Sequence, residues 1–501
     1  MKKSIILWLL VISLVLWSLP VQAAPPDYSG GVNNENEYVE VVFLSGEPVQ
    51  FSSRAGKFTI KESEKGDSKT ISYTFKLQSE TPGVIGSLDR TVKFEVTYQP
   101  DTVRGQTIAN LELKSYKETI KIGADTYTLK KDTGYQFSRS DIIDNRPASD
   151  FYSGNIKARK YYDINKNEGT AVVDISGGTV GYENFWGSTE TLLLDYYIQV
   201  ERVGTGSPNG ENIAWEGQVT ASVADSMNKS LKYAENEVNL SSFPGGNMKV
   251  TRRNMYSRYD YNLPRMSEGK PAAARRQGTV ELNQEMLPRV ERLIVPKFRD
   301  VGGHWAQEDI EKLFSLDVFA GNPAFFLPDV PMTRADFVRA VVKACDMRVS
   351  DQAEKKTRSR RAPAEVSPFA DVAVTDPDYP LIKQAVNKGL VSGSGGYFMP
   401  NEPLNRAQAI AILVRALGFE SKAPTPGYST SFVDDGQIPY WARDSIYVAA
   451  EIGLVSGDQG NRINSSQVMT RAEASSMLVR FLNFLEKDLQ KDYRENILLY
   501  R

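Results

Sequence analysis

The sequence predicts a multidomain protein, with an N-terminal all-β domain followed by an α-helical region built from three repeats. The β domain is expected to be a sandwich or open barrel with mostly antiparallel strands. Three observations lead to this prediction. The chain has 501 residues, more than a single core usually organises. Apolar residues alternate with a period of two before residue 261, and they recur with helical spacing after Lys297. The helical part also repeats itself three times.

The first residues have the pattern of an export signal. Lys2 and Lys3 precede an apolar run over Ile5–Leu19, and residues 20–23 end in a small-x-small arrangement. We expect a signal peptide over residues 1–23, because an uncleaved membrane anchor usually needs a longer apolar stretch. No second apolar run follows, so no transmembrane segment is expected after cleavage.

Residues 27–261 are predicted to form the β domain. Alternation is clear over 71–77, 92–98 and 196–200, and glycine- and asparagine-rich breaks separate the runs. Residues 262–295 carry little packing material and are predicted to be a connector, with a short helix over Leu282–Leu293. Aromatic pairs such as Tyr196-Tyr197 are expected to belong to the core, although aromatic rows on a sheet also stack on sugar rings.

Composition excludes several classes of function. The formal net charge of −2 gives no electrostatic basis for binding nucleic acid. Cys345 is the only cysteine, so no intramolecular disulfide forms, and His304 is the only histidine. The β domain therefore lacks the residues for Ser-His or Cys-His catalysis and for histidine metal sites. We predict no catalytic constellation, no metal site and no cofactor.

The helical part consists of three units with the same order of motifs. They are expected at 296–349, 367–420 and 421–485, with a basic linker over 350–366 and a helical tail over 486–501. Each unit opens with an aromatic residue and an acid, continues with an amphipathic helix, and reaches a glycine that suits the C′ position of that helix. The acids are Asp300, Asp371 and Asp434, and the glycines are Gly321, Gly393 and Gly457.

An arginine recurs at the start of the second helix of each unit. Thr or Asn is expected to cap this helix, and an acid or amide three residues later is expected to close a capping box. The first helical residue is then Arg334, Arg406 or Arg471. A cation is unfavourable at a helix N-terminus by about 0.3–1 kcal/mol. Three such placements suggest an anion site in which backbone N–H groups and a guanidinium act together. The equally weighted alternative is that each arginine pairs only with Asp300, Asp371 or Asp434.

These ordered motifs resemble the S-layer homology domain. The resemblance covers about residues 296–485 and includes Phe-x-Asp-Val, His-Trp-Ala, the helix ending in glycine, and Thr-Arg-Ala-Glu. It implies a pseudo-threefold bundle whose grooves bind an anionic secondary cell wall polymer, commonly through pyruvylated N-acetylmannosamine. The second unit departs from the pattern, because Asp376-Pro-Asp-Tyr379 replaces the tryptophan motif and Asn405 replaces threonine. One groove is therefore expected to bind poorly.

The resemblance implies eleven polysaccharide-binding residues. They are Arg334, Arg406, Arg471, Asp300, Asp371, Asp434, Trp305, Trp441, Gly321, Gly393 and Gly457. It further implies a secreted bacterial surface protein, located in the cell wall or S-layer, that displays its β domain. Other envelope or S-layer proteins are further candidate partners.

The alternative function is a polysaccharide-active enzyme on the same anchor, working as a carboxylate-based glycoside hydrolase. Acids such as Asp141, Glu190 and Asp195 are scattered through the β domain with no telling spacing.

Overall fold

The computed structural model describes residues 30–203, 212–235, 245–267, 270–319, 324–347, 365–425 and 427–489. Four predicted features lie wholly or mostly outside these residues: the signal peptide, Gly321, the basic linker over 350–366 and the tail over 486–501.

The N-terminal part is one continuous antiparallel sheet in which neighbouring strands mostly follow chain order. β8 is an extra strand between β6 and β9, and β15 pairs with β13. The strands are β1 Val32–Asn33, β2 Tyr38–Val42, β3 Val49–Lys65, β4 Ser68–Ser79, β5 Gly86–Asp101, β6 Gln106–Ile122, β7 Asp125–Leu129, β8 Tyr135–Asn145, β9 Ser149–Ile164, β10 Gly169–Asn184, β11 Gly187–Arg202, β12 Ile213–Ala234, β13 Gly246–Ser267, β14 Lys270–Glu285 and β15 Arg289–Arg292. The prediction of a mostly β N-terminal region is confirmed.

Alternating burial explains why these segments form strands. In β4, Ile71, Tyr73, Phe75 and Leu77 are buried and the residues between them are more exposed, as their period of two predicts. The two ends of the sheet also approach each other. Near β1, the Asn34 amide donates to the Gln284 side chain of β14 (2.7 Å). The sheet therefore encloses one large apolar core of its own.

The predicted connector over 262–295 is wrong. Residues 262–267 complete β13, residues 270–285 form β14, and residues 289–292 form β15 where a helix was expected. β14 pairs with β13 from Lys270 to Glu285. Its side chains are mostly exposed, so backbone hydrogen bonds rather than burial hold it in the sheet. A strand of this kind lacks the apolar alternation from which strands are predicted.

The C-terminal part is helical, and each repeat contributes a first and a second helix. The first helices are α1 Gln307–Ser315, α3 Tyr379–Asn387 and α5 Arg443–Glu451, and the second helices are α2 Arg334–Ala344, α4 Arg406–Leu417 and α6 Arg471–Asn483. Short helical turns cover Glu420–Lys422, Asp435–Gln437, Tyr440–Ala442 and Phe484–Asp488. Within the described residues, no helix is both long and apolar enough to cross a membrane.

The three repeats are arranged cyclically. Each second helix packs against the first helix of the next repeat: α2 contacts α3, α4 contacts α5, and α6 contacts α1. Three buried residues between them form a closed ring of backbone hydrogen bonds. The Leu404 N–H donates to Met332 O (2.8 Å), the Met469 N–H donates to Leu404 O (2.9 Å), and the Met332 N–H donates to Met469 O (2.9 Å). Every repeat therefore donates to one neighbour and accepts from the other.

The β domain packs against the C-terminal ends of α2 and α4 and against the helical turn that follows α6. Carbonyl groups at a helix end lack partners within the helix, and the β domain supplies donors for them. Trp186 Nε1 donates to Ala344 O (2.9 Å), Ala148 N donates to Ala416 O (2.8 Å), and Asn228 Nδ2 donates to Glu486 O (2.9 Å). Trp186, only 1% exposed, is part of the helical core. The β domain and the arginines thus lie at opposite ends of these helices.

Candidate functional site

The three arginines occupy the first helical position, as predicted. Thr333, Asn405 and Thr470 precede them, and each side chain accepts a hydrogen bond from the backbone N–H three residues on. The reciprocal capping box forms in the second and third repeats only. In the first repeat, the predicted box is wrong on one side, because the Asp336 carboxylate bonds to Arg339 instead of the Thr333 N–H.

The predicted combination of helix N–H groups with a guanidinium does not form. The first two N–H groups of each second helix already donate to the loop of the next repeat, so they are not available to a ligand. The donors and acceptors are Arg334 to Glu402 O (3.0 Å), Ala335 to Pro400 O (2.9 Å), Arg406 to Gln467 O (2.9 Å), Ala407 to Ser465 O (2.9 Å), Arg471 to Val330 O (2.9 Å) and Ala472 to Pro328 O (2.9 Å). Of the predicted combination, only the guanidinium groups remain to bind an anion.

The guanidinium of Arg334 is held by the neighbouring repeat. Its Nη2 donates to Ser392 O (2.9 Å), and its Cζ lies 5.2 Å from the centre of the Phe398 ring. Its Nε is buried and has no hydrogen-bond partner among the described residues. Burial lowers the pKa of Arg334, and nearby Arg415 lowers it further. Arginine nevertheless stays charged at neutral pH, so Arg334 is a fixed cation with hydrogen-bonding capacity to spare.

Arg334 lies in a groove to which all three repeats contribute. The cavity has a volume of about 290 Å³. Arg334 comes from the first repeat, Gly393 and Phe398 from the second, and Trp441 from the third. Its other polar or charged lining residues are Ser392, Ser394, Tyr397, Glu402, Gln408 and Arg415. The structure thus brings together three predicted site residues that are widely separated in sequence.

The three aspartates hold the loops of their own repeats. Each carboxylate accepts two backbone N–H bonds: Asp300 from Phe326 (2.9 Å) and Leu327 (2.7 Å), Asp371 from Phe398 (2.8 Å) and Met399 (2.7 Å), and Asp434 from Ile463 (2.9 Å) and Asn464 (2.8 Å). The second residue of each pair has a positive φ, between 52° and 61°. Within the described residues none of the three aspartates forms an ion pair with a repeat arginine. We therefore interpret them as positioning residues.

Two of these aspartates, Asp300 and Asp371, are expected to make the helical region sensitive to acid. Burial alone would raise the pKa of Asp300 and Asp371, but the backbone N–H donors outweigh it and lower both pKa values. A lowered folded-state pKa gives stability that is present above the unfolded pKa of about 3.9 and lost below it. The midpoint of thermal unfolding should fall as the pH drops through about 4. Asp371→Asn, which cannot titrate, should flatten this fall, and an unchanged pH profile would contradict the assignment.

The predicted C′ role of the glycines is wrong for the two that the structure describes. The left-handed residues after the first helices are Asp317, Gly389 and Gly453. Gly393 is required for another reason: a Cβ atom there would lie 2.3 Å from the Phe369 ring. At Gly457 it would lie 2.7 Å from Asn461 Oδ1. These glycines permit a close approach of the loop, six residues beyond the last helical residues Asn387 and Glu451.

The two predicted tryptophans are exposed, Trp305 by 65% and Trp441 by 49%. Trp441 lines the Arg334 groove. A large exposed aromatic ring beside a cation is suited to stacking on a sugar. In the second repeat, Pro377 stands at the corresponding position, five residues before the shared isoleucine.

Sequence reasoning missed Arg415 and Arg480. Arg415 lines the Arg334 groove, and Arg480 lies close enough to lower the pKa of Arg406. Each lies nine residues after a repeat arginine, which places it on the opposite face of the same helix. That face borders the groove of the preceding repeat. The nine-residue spacing can be read from the sequence. That it brings a second arginine to a neighbouring groove follows only from the cyclic packing of the repeats.

Comparison with protein families matches the S-layer homology domain over residues 297–338, 368–410 and 431–475. The chain carries three tandem S-layer homology domains. The three matches fall inside the three predicted repeats, so this prediction from the sequence is confirmed.

Proteins that share sequence with the chain have two kinds of name. The S-layer protein of Bacillus thuringiensis subsp. finitimus is 24% identical over 186 residues, which are 36% of this chain and 21% of that protein. Exoglucanase XynX of Acetivibrio thermocellus is 27% identical over 187 residues, 37% of this chain and 16% of that protein. The amylopullulanase of Thermoanaerobacterium thermosulfurigenes is 28% identical over 209 residues, which are 41% of this chain and 10% of that protein. The chain therefore spans only a small part of these relatives.

Proposed function

We propose that the protein is an extracellular bacterial surface protein that its S-layer homology domains hold non-covalently on an anionic cell wall polysaccharide. The observation that carries the proposal is the groove in which Arg334, Gly393 and Trp441 meet. The S-layer homology domains and the relatives named as surface-layer proteins support a location in the cell wall or S-layer.

The groove has the chemistry to bind an acidic sugar. Arg334 offers a planar fork that matches a carboxylate, and Arg415 adds a second guanidinium, whose Nε already bonds to Glu420 (3.1 Å). Trp441 provides exposed aromatic surface for the sugar ring beside that charge, whereas Phe398 is buried beneath the Arg334 guanidinium. Gln408 borders the cavity with a neutral amide, and Glu402 is the one acid among its described lining residues. A sugar that carries a carboxylate, such as pyruvylated N-acetylmannosamine, fits these features.

The test is sedimentation of the mature full-length protein with purified cell walls. We expect the protein to pellet with native walls and to remain in the supernatant with walls stripped of their acidic polymer. Retention should weaken as salt is raised, because exposed charge contacts are screened. Equal retention on native and stripped walls would refute the anionic ligand.

For the β domain we propose a role in display or binding rather than catalysis. Burial raises the pKa of Glu190 to about 7, which would suit a general acid. However, Glu190 is 1% exposed, and it accepts hydrogen bonds from Arg139 (3.1 Å) and Thr179 (2.9 Å). Such a carboxylate is committed to internal contacts. Release of reducing ends from wall glycan by the purified protein, lost on Glu190→Gln, would instead support the alternative of an anchored glycoside hydrolase.

A further inference from the structure

We propose that the groove of Arg471 is already occupied by a carboxylate of the protein itself, that of Asp336, while the groove of Arg334 is open. This inference rests on the proposed function and assigns a different role to each groove.

The contact between Arg471 and Asp336 joins the third repeat to the first. Arg471 Nη1 lies 3.5 Å from Asp336 Oδ2, and both side chains are 23% exposed. Arg339 bonds to the other oxygen of Asp336 and also to Asp378 Oδ2 (2.5 Å). Asp336 is thus fixed from both sides in the place that an acidic ligand would take beside Arg471. The guanidinium still stacks on Phe326, 4.5 Å from the ring centre, as Arg334 does on Phe398.

The other two repeats place their equivalent side chains differently. Gln408 and Glu473 stand where Asp336 stands, three residues after the helix cap. Gln408 Oε1 accepts from Asn405 N (3.0 Å), and Glu473 Oε2 accepts from Thr470 N (2.9 Å). Asp336 is one methylene shorter than Glu473, makes no such bond, and turns to Arg471 instead. Among the described contacts, Arg334 and Arg406 form no ion pair.

The divergence of the second repeat affects the same groove. Asp378, which holds Arg339, belongs to the segment that replaces the tryptophan motif. Pro377 stands where the other repeats have Trp305 and Trp441. The groove that contains an internal carboxylate is therefore also the one in which proline replaces the tryptophan. The divergent second repeat led us to predict from the sequence that one groove binds poorly. The sequence alone did not show that this is the groove of Arg471.

The experiment is calorimetric titration of the full-length protein with pyruvylated N-acetylmannosamine. We expect Asp336→Asn to bind one more sugar per chain than the natural protein, because asparagine carries no charge to compete with the ligand. The backbone N–H of residue 336 still donates its hydrogen bond to the Thr333 hydroxyl in this variant. The double variant Asp336→Asn with Arg471→Ala should lose that extra site. Arg471→Ala alone should leave the stoichiometry unchanged. If Asp336→Asn folds poorly, Asp336→Gln can replace it, because glutamine is the residue at the equivalent position of the second repeat, Gln408.

The outcomes separate this inference from the proposed function. If Arg471→Ala alone removes one bound sugar, or if folded Asp336→Asn and Asp336→Gln gain none, the self-occupied groove is refuted while wall binding stands. If neither the natural protein nor any variant binds the sugar, both proposals are refuted.

Discussion

Replacing Trp186 with alanine is expected to lower the free energy of unfolding by about 3–5 kcal/mol, the usual cost of deleting a buried tryptophan. Trp186 is 1% exposed and belongs to the core of the helical region although it lies in the β domain. The change also removes the donor to the Ala344 carbonyl, which is left buried without that partner. Calorimetric unfolding of the full-length protein measures the effect.

Two matched variants show whether position or residue type is responsible. Trp186→Phe keeps much of the apolar contact and loses the hydrogen bond, so we expect about 1–3 kcal/mol. Trp305→Ala removes a tryptophan that is 65% exposed and should change stability by about 0.5 kcal/mol or less. If Trp186→Ala were as mild as Trp305→Ala, the contact between the domains would not contribute to stability.

Replacing Arg334 with alanine is expected to weaken wall binding at least about tenfold, corresponding to about 1.4 kcal/mol or more. The side chain supplies the fork of the open groove, whereas its backbone N–H contact to Glu402 remains in the variant. The free energy of unfolding should fall only by the loss of the hydrogen bond to Ser392 O, about 0.5–1.5 kcal/mol. Sedimentation with native walls over a range of wall concentrations gives the affinity.

The control for this prediction is Arg104→Ala, which removes the same charge from the turn between β5 and β6. The Arg104 side chain is 76% exposed, and its one ion pair with the described residues is the 3.9 Å contact with Asp101. We expect no change in its wall binding. Equal losses in the two variants would mean that net charge, not the groove, governs retention.

Local chemistry made much of the fold predictable from the sequence. Period-two burial marks strands such as β4, and Thr or Asn before an amphipathic run marks the starts of α2, α4 and α6. β14 escaped prediction because its residues pair through the backbone and bury little. The N–H donors at the helix starts were assigned to a ligand because a sequence does not show which carbonyl groups a neighbouring loop will bring.

The site was predictable residue by residue but not as an assembly. Arg334, Gly393 and Trp441 each stood out within one repeat, yet they meet in one groove only because the repeats pack cyclically. The same packing decides that Asp336 faces Arg471. Spacing within one repeat carries no information about such contacts between repeats.

The closed ring through Met332, Leu404 and Met469 fixes how many copies this architecture can hold. Removing one repeat would leave one backbone N–H and one backbone C=O of this ring without a hydrogen-bond partner, and both groups are buried. Adding a fourth repeat would separate two residues that now bond to each other. We therefore expect the three repeats to be exchanged between proteins as one unit, because adding or removing a single copy would break this ring.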